Sequence, residues 1–162
     1  MMNEKKELAA QAYQLAYDYD LKYGCCPQCV LLAVQETIGY VTDDLIQAAH
    51  TLSGGGGLLG DGTCGALSGG LLALGAKFGR PVDKLDQGRF IKSFMVGKEL
   101  IKKVETEFTG ACSCHDVQNI CHGRTYDMWN AGEIKELKDD KFVNYCANLT
   151  GKIAQWCVEL MI

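Results

Sequence analysis

Apolar residues recur with helical spacing along most of the chain. From Leu8 they return at Ala12, Leu15, Ala16, Tyr19 and Tyr23, which predicts an amphipathic helix ended by Gly24. Pro27 suits the first turn of a second helix running to about Ile38, with Cys26 at or beside its N-cap. Thr42-Asp43-Asp44 can cap a third helix that ends near Leu52. A glycine-rich loop, Ser53 to Gly62, then precedes a fourth helix from about Thr63 to Phe78, stopped by Gly79-Arg80-Pro81. A long fifth helix is predicted from about Val82 to Phe108, an irregular stretch from Thr109 to Gly132, and a last helix from about Lys138 to Leu160. The stripe of that last helix is Phe142, Tyr145, Cys146, Leu149, Ile153, Trp156, Cys157 and Leu160.

No run of alternating β-branched residues is long enough to anchor a sheet. The expected fold is therefore all-α, a bundle of about five to six helices forming one domain over residues 1–162. Gly65, Gly69, Gly70 and Gly75 weaken the fourth helix as a lone helix. Their expected use is close approach of another backbone, within the chain or at the seam of a homodimer.

Charge changes this picture little. The formal net charge is −4, and Lys and Arg are scattered apart from Lys102-Lys103, so nucleic acid is not an expected partner. No run of about 18 apolar residues suggests a membrane span. The charged start lacks the pattern of a secretory signal, and the expected location is the cytoplasm.

Cysteine changes it most. There are nine cysteines, an odd count in a chain longer than the usual secreted disulfide scaffold. Metal binding or redox chemistry explains so many thiols, although free cysteine also serves as a small buried hydrophobe, the role expected of Cys157. Cys26-Pro27-Gln28-Cys29 is a C-P-x-C motif at a helix start, where free amides and the helix dipole favour a thiolate and should lower the Cys26 pKa. A thioredoxin-like fold would need a preceding strand, and the preceding segment is helical. Gly60-Asp61-Gly62-Thr63-Cys64-Gly65 matches G-x-G-x-x-G without the strand that dinucleotide binding needs. Its glycines are better read as bringing backbone amides close to the Cys64 sulfur. Cys112-Ser113-Cys114-His115-Asp116 and Cys121-His122 form a Cys/His cluster whose spacing departs from that of structural zinc sites and lacks C-x-x-C-H for haem. Its histidines have an equally good reading as plain surface residues. Cys146 and Cys157 share a face of the last helix but lie too far apart along its axis to hold one metal, and Cys146 is the better ligand candidate.

Taken together, these segments resemble the redox-active protein family named for its cysteine pattern, C_GCAxxG_C_C. The carriers are Cys26-Pro27-Gln28-Cys29-Val30-Leu31-Leu32, Gly54 to Gly57, Thr63 to Gly79, Gly110 to Asp116, and Cys146. The order Cys64-Gly65-Ala66 departs from the Gly-Cys order in the family's name. The resemblance implies that Cys26, Cys64, Cys114 and Cys146 are the four family cysteines, with Cys25, Cys29, Cys112, Cys121 and Cys157 outside the pattern. It extends to the helical iron–sulfur domain of split-Soret cytochromes, whose haem-attachment sequence is missing here.

Three readings follow. In the first, Cys26, Cys64, Cys114 and Cys146 bind a [2Fe–2S] or [4Fe–4S] cluster for electron transfer to a redox partner protein, or for sensing. In the second, the chain is a thiol–disulfide oxidoreductase in which Cys26 attacks and Cys29 or Cys64 resolves. In the third, zinc on the four thiolates stabilises an interaction module.

Overall fold

The computed structural model describes residues 2–139 and 143–162. They form eight α-helices: α1 (Met2–Tyr23), α2 (Cys26–Ile38), α3 (Asp43–Ala48), α4 (Gly65–Phe78), α5 (Ile91–Glu107), α6 (Cys114–His122), α7 (Ala131–Asp139) and α8 (Val143–Met161). No strand occurs among the described residues. The one extended pairing there is a single antiparallel bridge, Thr63 with Ser113. The all-α expectation holds, with more helices than the five or six expected.

α1 lies along α8, and α2 packs between them and α4. Ala9, Ala12 and Ala16 give α1 a small-residue face that lets α8 come close. From the other side, a Cβ on Gly151 would stand 2.9 Å from the Tyr13 ring. Leu31 and Val34 of α2, Leu67 and Leu74 of α4, Leu100 and Val104 of α5, and Leu149 and Ile153 of α8 are almost wholly buried between the helices. Each such leucine contributes roughly 2 kcal/mol of apolar burial. Cys157 is among them, fully buried with its thiol facing the Gly70 carbonyl at 3.5 Å, as expected of a small hydrophobe.

Four boundaries differ from expectation. α1 begins at Met2 rather than Leu8, because its first turns face solvent and carry no apolar stripe; the Asn3 side-chain amide donates to Glu7 at 2.8 Å there. α3 ends at Ala48, and residues 49–55 tighten into 3-10 turns broken by a kink at extended Ser53 and left-handed Gly54. α5 begins at Ile91 rather than Val82: Val82–Lys84 is a short 3-10 turn, and positive φ at Gly88 and Phe90 breaks any longer helix. The stretch expected to be irregular contains α6, whose start is fixed by Ser113. Ser113 Oγ accepts the Asp116 amide at 3.1 Å and donates to the Asp116 carboxylate at 2.7 Å. Asn130 caps α7 in the same manner, accepting from the amides of Gly132 and Glu133. Where one last helix from Lys138 was expected, the described residues hold α7 to Asp139 and α8 from Val143, and Phe142 lies outside them.

No helix among the described residues is long and apolar enough to cross a membrane.

Candidate sulfur site

The site forms where α4, α6, α2 and α8 bring one cysteine each. Cys64 is the N-cap of α4, Cys114 and Cys26 are the first residues of α6 and α2, and Cys146 lies in the first turn of α8. Cys64 and Cys114 are locked together by the bridge beside them. The Cys64 amide donates to the Cys112 carbonyl at 2.7 Å, and the Cys114 amide donates to the Gly62 carbonyl at 3.0 Å. The His115 amide extends the stitch to the Gly60 carbonyl at 2.8 Å. The useful part of Cys112 is thus its backbone.

The glycine loop makes this possible. Gly55 has φ +77, and a Cβ there would stand 3.1 Å from Cys114 Cβ. Gly60 has φ +85 and lies directly under the His115 ring, whose Nδ1 is 3.2 Å from an Asp61 oxygen. Gly65 and Gly69 let α4 press on the start of α2: a Cβ on Gly69 would be 2.6 Å from the Pro27 carbonyl oxygen. The expectation of close backbone approach is met within the chain.

Polar groups stand near the sulfurs. The backbone amides of Ala66 and Leu67 lie near Cys64 and lower its thiol, as expected at a helix start. The Gln118 side-chain amide approaches Cys114 Sγ at 3.5 Å. His122 Nε2 is 3.4 Å from Cys146 Sγ.

The four sulfurs also feel one another. Cys64 and Cys114 raise the Cys26 thiol, and Cys26 and Cys64 raise Cys146. The sequence placed Cys26 and Cys64 at helix starts, and the structure puts Cys114 at one too, with Cys64 and Cys114 side by side at the Thr63–Ser113 bridge.

The expected low pKa of Cys26 is not found. Burial pushes its thiol well above the usual range, and the Asp20 carboxylate raises it further. Desolvation outweighs the helix-start effect because a thiolate there would face a carboxylate and three neighbouring thiols. Burial likewise pushes Cys64 up to about 12, in spite of its two amides, and raises Cys114. Cys29 does not join the four. It is 3% exposed and its thiol faces the Gly24 carbonyl at 2.9 Å. Cys25 caps α2 in a left-handed conformation at φ 60, with its thiol toward the His50 carbonyl.

Two residues beside these cysteines lacked a sequence assignment. Asp20, near the end of α1, lies beside Cys26 and Thr150, and burial pushes its carboxyl up to about 6. Thr150 is fully buried and its hydroxyl donates to the Cys146 carbonyl at 3.0 Å, so Asp20 stands against the cysteine-bearing turns of α2 and α8. Its signal in the sequence is faint: an acidic residue on the same face as Ala12, Ala16 and Tyr23. The other is Cys121, on the buried face of α6, whose neighbour His122 reaches Cys146 of α8.

Among the described residues, no three His, Cys, Asp or Glu side chains are gathered as one metal ion would require. A tetrahedral zinc with bonds of about 2.3 Å would set its sulfurs only about 3.8 Å apart. An iron–sulfur cluster would take one or two of the four thiolates on each iron, and so would not need three of them gathered about one ion. The donor set fits such a group: four thiols from four helices, two already facing N–H donors of the kind that tune cluster thiolates.

A family model described as "Putative redox-active protein (C_GCAxxG_C_C)" matches residues 24–160. No curated protein and no solved structure matches the chain.

Proposed function

The chain belongs to the C_GCAxxG_C_C family, and from that premise we propose that it binds an iron–sulfur cluster through Cys26, Cys64, Cys114 and Cys146 and serves electron transfer or redox sensing. The observation that carries this reading is that these four thiols stand at the starts of four helices, with Cys64 and Cys114 held side by side by backbone hydrogen bonds. When bound, the cluster supplies one-electron chemistry. The chain's own residues do the rest. The Thr63–Ser113 bridge fixes the spacing of Cys64 and Cys114. The amides of Ala66 and Leu67 and the Gln118 side chain offset negative charge on those two sulfurs, which favours the reduced state. Burial excludes water from Cys64.

The raised thiols support a metal-dependent site over a bare nucleophile. A protonated Cys26 is a poor attacking group in thiol–disulfide exchange. Cys26, Cys64, Cys114 and Cys146 would have to lose their protons to hold iron, so loading should release protons to solvent. A redox partner protein can approach over the glycine loop, where Leu59 and Trp129 are exposed and the Trp129 indole N–H donates to the Gly57 carbonyl at 3.1 Å.

The test is a set of four single Cys→Ser variants, reconstituted without oxygen. Each of Cys26, Cys64, Cys114 and Cys146 should lose most of its iron and visible absorption, while Cys25→Ser and Cys112→Ser keep theirs. Equal retention in all six would remove the assignment.

A further inference from the structure

We propose that the outer face of α5 is the seam of a homodimer in which two copies of the chain meet antiparallel around Gly97. Ile91, Phe94, Met95, Lys98, Lys102 and Glu105 fall at i, i+3, i+4, i+7, i+11 and i+14 on α5 and form one stripe. All six are exposed, while the other side of α5 leans on α4 and α8. The stripe is apolar at its N-terminal end, and Val82 and Leu85 stand exposed in the segment that leads into it. Five large apolar side chains more than half open amount to on the order of 500 Å² of surface, at the upper end of what a lone soluble chain leaves uncovered. A stable complex buries roughly 800 Å² on each partner, a size the face approaches once the stems of Lys98 and Lys102 are counted.

Shape and charge both select a second copy. A groove of about 500 Å³ runs between α4 and α5, lined by Leu71, Leu74, Gly97 and Ile101. Gly97 keeps the two helices close there, since a Cβ on it would stand 3.3 Å from Leu71. Phe94 forms the rim of this groove and also borders a cavity of about 320 Å³ with Arg80 and Arg89. An exposed ring beside an open groove is self-complementary: a two-fold axis at Gly97 lays each Phe94 into the groove of the other copy. Arg89 and Glu105 lie eight residues to either side of Gly97, at opposite ends of the face. Neither makes an ion pair among the described residues. Antiparallel pairing sets Arg89 of each copy opposite Glu105 of the other, whereas parallel pairing would set like charges together. Lys92, which would otherwise face Lys102, lies back over the Phe78 ring at 4.5 Å. None of these residues belongs to the four-cysteine site, so association is independent of a bound cluster.

Sedimentation velocity on the full chain under reducing conditions follows mass against concentration. The chain should reach about twice 17.7 kDa at micromolar concentration. Phe94→Glu and Met95→Glu, both at exposed positions, should weaken association at least ten-fold with helicity unchanged. Arg89→Glu and Glu105→Arg should each weaken it several-fold, because each sets like charges face to face twice. Mixing the Arg89→Glu chain with the Glu105→Arg chain should restore association, since both contacts then join opposite charges. Diluted to monomer, Phe94→Ser should leave urea unfolding almost unchanged, which separates loss of the dimer from loss of the fold. Monomer at every concentration overturns the proposal, even if lipid vesicles or another protein capture the chain through Phe94. A dimer that survives Phe94→Glu overturns it as well. A dimer broken by Phe94→Glu whose two charge variants fail to restore one another overturns the antiparallel pairing.

Discussion

The two halves of α4 contain the same residue type under opposite constraints. In the N-terminal half, a methyl group on Gly69 would stand 2.6 Å from the Pro27 carbonyl oxygen, and one on Gly70 would stand 2.7 Å from Ile153 and 2.8 Å from Leu100. In the C-terminal half, a methyl group on Gly75 meets no atom within 4 Å. The tight half carries Cys64 and presses α4 onto the helix start that carries Cys26. The loose half leads into residues 79–90, where Val82 is 86% exposed, and on to α5, whose Phe94 and Met95 are 64% exposed. A glycine that weakens a helix is therefore kept for contact at one end, and the penalty at the other has no packing return in this fold.

Substitutions at the two ends should separate cleanly. The largest effect is expected at the tight end, where Cys64→Ser and Cys114→Ser should each lower iron and sulfide content more than ten-fold after reconstitution, with helicity by circular dichroism unchanged. Retention of cluster by both would dissolve the distinction between the halves.

Gly69→Ala comes next. Its methyl group meets backbone, which cannot swing aside, so unfolding by urea should show a loss of about 1–3 kcal/mol, together with weaker iron uptake. A neutral result would mean that α2 and α4 are not held at this separation.

The pH dependence of the metal-free protein probes the floor of the same site. The Asp20 carboxyl is raised from 3.8 to about 6, so the folded chain holds a proton that the unfolded chain releases near pH 4. Its stabilising contribution is full below about pH 4, is lost as pH rises from about 4 to 6, and is absent above that. Partial exposure limits the effect to the order of 1 kcal/mol. Asp20→Asn should abolish this part of the stability profile. An unchanged profile in the variant would assign the titration elsewhere.

At the loose end the sign reverses. Gly75→Ala should stabilise by about 0.5–1 kcal/mol through helix propensity alone, without altering iron content. Phe94→Ser, smaller still, should stay within about 0.5 kcal/mol. A loss of metal from either would show that the two halves of α4 are coupled.

Much of this was legible in the sequence, for physical reasons that also mark where legibility ended. The stripes of α2, α4 and α8 and the helix-start positions of Cys26 and Cys64 depend on neighbours within one or two turns, and periodicity reads those. α6 carried a local signal as well: Ser113 followed by Asp116 is a capping pattern, overlooked because a nine-residue helix spans too few turns for a clear stripe. The early start of α1 and the late start of α5 depend on solvent-facing turns and on positive φ at Gly88 and Phe90, which apolar spacing does not register. The rest is tertiary. Asp20 acquires its neighbours from α2 and α8, and the Cys26 thiol is raised first by burial among packed helices and then by Asp20, so no window around Cys26 could have shown it. The His122–Cys146 contact joins α6 to α8 and was equally out of reach.

The most direct test of the four-cysteine site is iron and acid-labile sulfide analysis, with a visible spectrum, on protein prepared and reconstituted without oxygen. The expected result is a coloured protein with iron and sulfide in equal amounts, two or four of each per chain. Colourless protein with neither iron nor sulfide, or one zinc per chain without sulfide, would contradict it.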